Sequence, residues 1–131
     1  MRAAHVRNGG ERFKDAGVRG KEDDPDRESV RVIVLQTTLP DADRAGSLAR
    51  ACVEERLAAC VQATPIRSTY RWEGRTEEAS EVRLDVKTTP AALPRLLAFV
   101  RARHPYEEPE LLVTEAAASE GYAAWVAAET A

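Results

Sequence analysis

The sequence has little of what marks several large classes of protein. Its 131 residues include only two cysteines, so it is not a disulfide-rich scaffold, and a reduced, cytoplasmic protein is expected. The longest unbroken, strongly apolar run is Val32 to Leu35, far short of the roughly 20 residues that cross a membrane. The N-terminus lacks the apolar stretch of a secretory signal. With 19 basic and 22 acidic residues, the chain also lacks the basic excess typical of nucleic-acid binding.

The first 29 residues differ in composition from the rest of the chain. They hold four of the seven glycines and 14 charged side chains, seven of each sign, but few large apolar residues. Such a segment buries too little apolar surface to offset the entropy that it would lose on ordering. We therefore predict either a disordered extension at residues 1–29 or a start codon assigned too far upstream, and one domain at residues 30–131.

Hydrophobic periodicity predicts a strand and then a helix at the start of this domain. Residues 30–38 are rich in β-branched side chains and precede Pro40, a pattern typical of a strand that is covered on both faces. Asp41 is suited to cap a helix, and an apolar stripe with helical spacing runs from Ala45 to Leu57.

A long hairpin is predicted to follow this helix. Residues 59–72 have extended character, which Pro65 must interrupt or bulge. Glu73 and Gly74 are suited to the hairpin turn. Residues 81–87 then alternate between charged and apolar side chains, as in a strand with one face on the core.

The second half of the domain repeats the order of strand and helix. Thr89 as a cap and Pro90 in the first turn predict a helix, which His104 ends because a proline follows it. A strand is expected at residues 110–114, and a short helix after Ser119. This order predicts an α+β fold, a ferredoxin-like split βαβ sandwich with helices on one face of the sheet.

The predicted hairpin is long for so small a domain. Strands that project beyond their own sheet expose unpaired backbone groups, which other elements must cover. Further copies of the same chain would cover them, so we expect a homo-oligomer.

One short segment concentrates groups that can bind a ligand. Residues 104–110 hold an imidazole, a phenol and three carboxylates together with two prolines. A rigid loop loses little entropy on binding, and imidazole with carboxylate suits zinc, copper or another divalent metal. The alternative is a stiff connection whose acidic side chains face water.

For the other candidate residues, a purely structural role is an alternative to a functional one. Tyr70 and Trp72 share one strand face near the hairpin tip, and they either line a ligand cleft or subunit contact or pack on the sheet. Lys87, the only lysine after residue 29, is an anion contact or a surface residue. Cys52 and Cys60 have no CxxC partner and are expected to be buried. Since neither a glycine-rich phosphate loop nor a nucleophile arrangement is recognisable, no catalytic activity is expected.

Taken together, these segments resemble the CutA family of divalent-ion-tolerance proteins. The matching phrases follow the family's order and cover nearly all of the chain from Val30 onward. They are Glu55-Arg-Leu-Ala-Ala-Cys-Val61, Tyr70-Arg-Trp-Glu-Gly74, Glu81 through Thr88, His104-Pro-Tyr-Glu107, Pro109-Glu-Leu-Leu112, and Tyr122 with Trp125.

The resemblance implies a tight homotrimer of ferredoxin-like subunits, similar in architecture to the PII signalling proteins and without catalytic activity. It also implies copper or other divalent-cation binding and a role in metal tolerance, with His104, Glu107 and Glu110 as candidate ligands. Copper-binding bacterial members of the family place a Cys where this chain has Gln36 and a His where it has Arg103. Their replacement weakens the copper interpretation, and it leaves Glu107, Glu108 or Glu110 as oxygen ligands for a harder cation.

Two alternatives to cation binding stay open. One is a PII-like cleft between subunits that binds a small anion or metabolite and signals to a partner. The candidate residues of this cleft are Tyr70, Trp72, Glu73, Lys87, Tyr106, Glu110, Tyr122 and Trp125. The other is a purely structural trimer. None of these interpretations involves nucleic acid or a membrane.

Overall fold

A computed structural model of the protein describes residues 31–131. The disordered extension predicted for residues 1–29 lies outside the described residues. The elements in chain order are β1 (Arg31–Leu39), α1 (Ala42–Glu54), β2 (Cys60–Trp72), β3 (Arg75–Thr88), α2 (Leu93–Arg103), β4 (Leu112–Ala117) and α3 (Glu120–Glu129). The strands form one sheet in the order β2-β3-β1-β4, in which every neighbouring pair is antiparallel. This is the predicted ferredoxin-like arrangement, except that the third helix packs on the opposite face of the sheet from the other two.

Two buried clusters, one on each face of β1, hold the sheet and the helices together. The larger cluster lies between the sheet and the first two helices and includes Leu35, Leu39, Leu48, Cys52, Leu84, Leu96 and Val100. The smaller cluster joins Val32 to Ala123 and Val126 of α3. Because side chains alternate along a strand, Val32 and Leu35 point to opposite faces, and β1 is covered on both, as predicted. Full burial of each leucine favours folding by about 1.5–3 kcal/mol.

The helix α1 ends earlier than its apolar stripe predicts. The stripe extends to Leu57, but α1 ends at Glu54, because Arg56 adopts a left-handed conformation with a φ of 60°. Leu57 still reaches the core, from the loop. Val53 was predicted in the buried stripe but is 41% exposed, since it lies about 100° around the helix from the buried Cys52.

The hairpin strands β2 and β3 pair without a break along the whole length of β2, from Cys60 to Trp72. Pro65 lies inside β2, in register opposite Val82, so the predicted interruption or bulge is wrong. The physical reason is the position of β2 at the edge of the sheet, where a proline can turn its donor-less nitrogen away from the neighbouring strand.

The hairpin also projects beyond the rest of the sheet, as the sequence predicts. β1 pairs with β3 only at residues 82–88, so residues 75–81 of β3 pair with β2 alone. At about 3.3 Å per residue, this projection is about 23 Å long. Glu73 and Gly74 form the turn at its tip, with φ angles of 50° and 79°.

The helix α2 begins at Leu93, later than the predicted start at Pro90. A helix cannot start at Pro90, because Pro94 has no N–H to donate to the carbonyl of Pro90. Thr89 nevertheless stabilises the preceding turn, where its hydroxyl oxygen accepts a hydrogen bond from the backbone N–H of Ala92 at 3.2 Å.

Of the last two elements, the strand starts later than predicted and the helix starts where predicted. β4 begins at Leu112 rather than at residue 110, because its pairing with β1 begins opposite Gln36. Ser119 is the N-cap of α3, but its hydroxyl makes no capping hydrogen bond. None of the helices within residues 31–131 is long and apolar enough to cross a membrane.

Candidate functional site

The loop after α2 carries the candidate ligand His104, and both ring nitrogens of this residue are engaged. The backbone N–H of Tyr106 donates to Nδ1 at 3.1 Å. Since Nδ1 is an acceptor here, the ring proton of the neutral imidazole is on Nε2, which lies 3.1 Å from the Thr37 hydroxyl and donates to it. These two bonds fix the imidazole against β1.

The side chain of Tyr106 continues this network to the hairpin. Its hydroxyl donates to Oε2 of Glu81 at 2.6 Å, and the hydroxyl of Ser68 donates to Oε1 of the same carboxylate at 2.6 Å. The rings of His104 and Tyr106 are 5.1 Å apart between centroids. The Glu81 carboxylate therefore links both strands of the hairpin to the loop, and we call His104, Tyr106, Glu81, Ser68 and Thr37 the Glu81 network.

The protonation states in the Glu81 network follow from its burial and contacts. Burial lowers the pKa of His104, against the opposing effects of a backbone hydrogen bond with Thr38 and of the nearby Glu81. Burial also raises the pKa of Tyr106, and its hydrogen bond to Glu81 raises it further. At neutral pH the imidazole is thus uncharged and the phenol keeps its proton.

The three candidate metal ligands do not form a ready-made metal centre in one chain. Glu107 is exposed, and Oε2 of Glu110 accepts a hydrogen bond from Gln36 Nε2 at 2.8 Å. Among residues 31–131, no group of three or more His, Cys, Asp or Glu side chains could hold a metal ion. His104 does not fit as a ligand in this arrangement, since a metal would have to displace Tyr106 or Thr37. Only the carboxylates offer free oxygen atoms.

The candidate cleft residues lie at opposite ends of the hairpin. Tyr70 and Trp72 are 46% and 59% exposed near its tip, and Tyr70 is close enough to Tyr106 to affect the pKa of that phenol. Lys87 lies opposite Cys60 at the base of the hairpin, and its Nζ donates to Gln62 Oε1 at 2.8 Å. At about 3.3 Å per residue, Cys60 is about 40 Å from Trp72 along β2.

The remaining aromatic candidates of this cleft belong to the base as well. Tyr122 and Trp125 pack against the smaller core cluster, with ring centroids 5.7 Å apart. A single chain therefore does not bring all the candidate cleft residues together. Glu73 lies near Tyr70 and Trp72, in the turn at the hairpin tip.

Three members of the Glu81 network were not recognised as site residues from the sequence. A signal for Glu81 and Ser68 exists, because a tight turn at residues 73–74 fixes the hairpin register and thereby places these two side chains on neighbouring strands. Thr37 offers no such signal, since its contact with His104 joins residues that are far apart in the chain.

The element order, the antiparallel sheet and the site on the loop after α2 define an α+β protein of the ferredoxin-like class. Residues 33–129 match the family model described as CutA1 divalent ion tolerance protein. The chain therefore belongs to the CutA family, which confirms the resemblance seen in the sequence.

Individual relatives agree with this assignment. The Divalent-cation tolerance protein CutA of Thermus thermophilus is 48% identical over 80 residues, which cover 60% of this chain and 78% of the relative. The protein of the same name from Pectobacterium atrosepticum is 39% identical over 103 residues, 77% of this chain and 94% of the relative. The solved structure of CutA from Synechococcus elongatus matches with a TM-score of 0.75 and 38% identity, covering 78% of this chain and 92% of that one.

Proposed function

We propose that this protein acts in divalent-cation tolerance by binding the cation directly. The observation that carries the proposal is the family match over residues 33–129, whose model is described by divalent ion tolerance. The curated relatives from Thermus thermophilus and Pectobacterium atrosepticum, named for the same property, support it.

The cation binds, in this proposal, to carboxylate oxygens of the loop at residues 104–110. Glu107 and Glu110 supply them, and His104 joins only if it gives up one of its two hydrogen bonds. An oxygen-rich site of this kind favours a hard divalent cation over cuprous copper, which prefers thiolate. Because one chain offers few ligands, a second copy of the chain completes the coordination.

Calorimetric titration with Mn²⁺ and, separately, with Zn²⁺ tests this site, because carboxylate oxygens suit Mn²⁺ and imidazole suits Zn²⁺. We expect the double variant Glu107→Gln/Glu110→Gln to weaken cation binding by at least about tenfold, the effect of losing about 1.4 kcal/mol. The matched control is Glu54→Gln/Glu55→Gln, which removes two exposed carboxylates at the end of α1. If the double variant and the control bind the cation equally well, the carboxylates of this loop are not its ligands.

The role of His104 is tested separately in the same titration. If His104→Gln binds the cation as the wild type does, His104 is not a ligand and serves only to position the loop. A loss of binding as large as that of the carboxylate variant, in a protein whose loop residues keep their NMR shifts, would show that the imidazole gives up Tyr106 or Thr37 and binds the metal.

We further propose that the protein works as a homotrimer. The supporting features are the projecting hairpin, the unpaired edge of β2, and the exposed aromatic rings of Tyr70 and Trp72. Exposed strand edges and apolar patches of this kind are typically covered by another chain.

A non-enzymatic role in the cytoplasm completes the proposal. Both described cysteines are buried. Burial raises the pKa of the Cys52 thiol to about 11, because its effect is larger than the opposing effect of the nearby Arg103. A thiol in this state is a poor nucleophile. The two free cysteines are also consistent with a reducing compartment.

A further inference from the structure

A groove lies between α1 and the carboxyl end of α2, and neither Glu107 nor Glu110 lines it. Its volume is about 510 Å³, which is within the usual range of small-molecule sites. Its apolar lining comes from Leu39, Leu48, Ala51, Ala102 and Pro105. The groove can therefore hold the apolar body of a small ligand.

The polar lining of this groove is basic. Arg44 and Ser47 come from α1, and Arg103 comes from the last residue of α2, while no carboxylate is among the residues that line the groove. Arg44 and Ser47 lie on the same side of α1 because residues three apart face the same way. Two guanidinium groups thus flank one opening.

One of the two guanidinium groups is unpaired in the described chain, and the other has a single, long contact with a carboxylate. Within residues 31–131, Arg103 makes no ion pair, and its guanidinium carbon lies 4.2 Å from the centre of the Phe99 ring, which holds it in place. Arg44 contacts Asp41 through Nε at 3.7 Å, so its two terminal amino groups stay available.

We propose that this groove binds a small organic anion, with a carboxylate or phosphate head between Arg44 and Arg103 and an apolar body over Leu39 and Leu48. Guanidinium groups match both heads, since their planar N–H donors can bind two oxygen atoms at once. The carboxyl end of α2, with roughly half a negative charge, and the Asp41 carboxylate beside Arg44 both oppose the anion, but the two guanidinium groups outweigh them.

An NMR titration of the full-length protein tests the proposal. The probes are phenyl phosphate and benzoate, with benzyl alcohol as the neutral analogue and inorganic phosphate as the head group alone. We expect saturable shifts confined to residues around the groove for the two organic anions. Benzyl alcohol and inorganic phosphate should each bind at least about tenfold more weakly, since each lacks one half of the recognised ligand.

Three variants and a control locate the binding. Arg44→Gln and Arg103→Gln should each lower the affinity for phenyl phosphate by about tenfold, because each removes a charged hydrogen-bond donor. Ser47→Asp adds a negative charge beside the groove and should abolish binding even if either arginine variant folds poorly. The control is Arg101→Gln, which removes an exposed arginine from the same turn of α2 but does not line the groove.

The proposal is wrong if Arg103→Gln and Arg101→Gln bind phenyl phosphate equally well. It is also wrong if benzyl alcohol binds as tightly as the anions, or if no probe gives saturable shifts at millimolar concentration. None of these results depends on the cation site, because the carboxylates of Glu107 and Glu110 do not line the groove.

Discussion

Two hydroxyl groups donate to the single carboxylate of Glu81, one from β2 and one from the loop after α2. Hydrogen bonds to a charged acceptor are stronger than neutral ones, and both of these are short. The arrangement attaches the projecting hairpin to the loop that carries the candidate cation ligands. Glu81 therefore determines where this loop lies relative to the hairpin.

The bond between Tyr106 and Glu81 should contribute measurably to stability. We expect Tyr106→Phe to lower the free energy of unfolding by about 1–2 kcal/mol, because it leaves one oxygen of a charged, half-buried carboxylate without its donor. Urea unfolding measures the change. Tyr70→Phe is the matched control, since it also removes a phenol hydroxyl, and within residues 31–131 the Tyr70 hydroxyl makes no hydrogen bond. Equal midpoints for the two variants would show that the bond contributes nothing.

The imidazole of His104 should make stability depend on pH. Burial lowers its pKa in the folded state below the ordinary value of 6.5, so the unfolded chain binds the proton more readily. The contribution is complete above pH 6.5 and is lost as the pH falls through the lowered pKa of the folded state. Protonation would also place an N–H on Nδ1, facing the N–H of Tyr106.

Urea midpoints measured between pH 8 and pH 5 test this dependence. The wild type should lose stability below pH 6.5, and His104→Gln should lose less, because it has no proton to gain at this position. Identical slopes for the two proteins over this range would show that other groups cause the change.

At the scale of elements, the hairpin depends on its turn. Gly74 has a φ of 79°, a conformation that costs a residue with a side chain about 1–2 kcal/mol. We therefore expect Gly74→Ala to destabilise the protein by about 1 kcal/mol. Gly46→Ala is a control of opposite sign, since Gly46 lies in α1 with nothing within 4 Å of its added carbon, and alanine should stabilise the helix by about 0.5–1 kcal/mol.

Denaturant unfolding of both glycine variants gives the comparison. A shift of the two midpoints in the same direction would contradict the backbone argument, because it would mean that the added methyl group, and not the conformation, dominates.

At the scale of the whole molecule, the projecting hairpin and the edge strand β2 should be covered by other copies of the chain. We expect the wild type to sediment as a trimer at micromolar concentration. Trp72→Lys should shift it toward single subunits, because burying a charge in a contact costs far more than burying an indole. Sedimentation velocity measures both.

The control for this experiment is Val53→Lys, which places the same charge at an exposed apolar residue of α1. If the wild type sediments as a stable single subunit, the proposal of a trimer is wrong. Identical sedimentation of the Trp72→Lys and Val53→Lys proteins would instead show that the hairpin tip is not in the contact.

Local patterns in the sequence were enough to predict most elements but not their ends. The turn at Glu73 and Gly74 was predicted because two residues in sequence determine it. The start of α2 was predicted too early, at Pro90. Because Pro94 has no N–H, it cannot donate to the carbonyl of Pro90, and the regular helix begins at Leu93. Pro65 was misread as a break, because an edge strand tolerates what a central strand does not.

Periodicity, turns and composition are properties of neighbouring residues, so the fold class, the long hairpin and the loop rich in ionisable groups could be predicted from the chain. Three-dimensional packing was needed to find that Glu81 joins this loop to the hairpin, that both nitrogens of His104 are occupied, and that Arg44 and Arg103 line one groove. These contacts join residues that are distant in the chain. Their formation depends on strand order and helix packing, which no local pattern specifies.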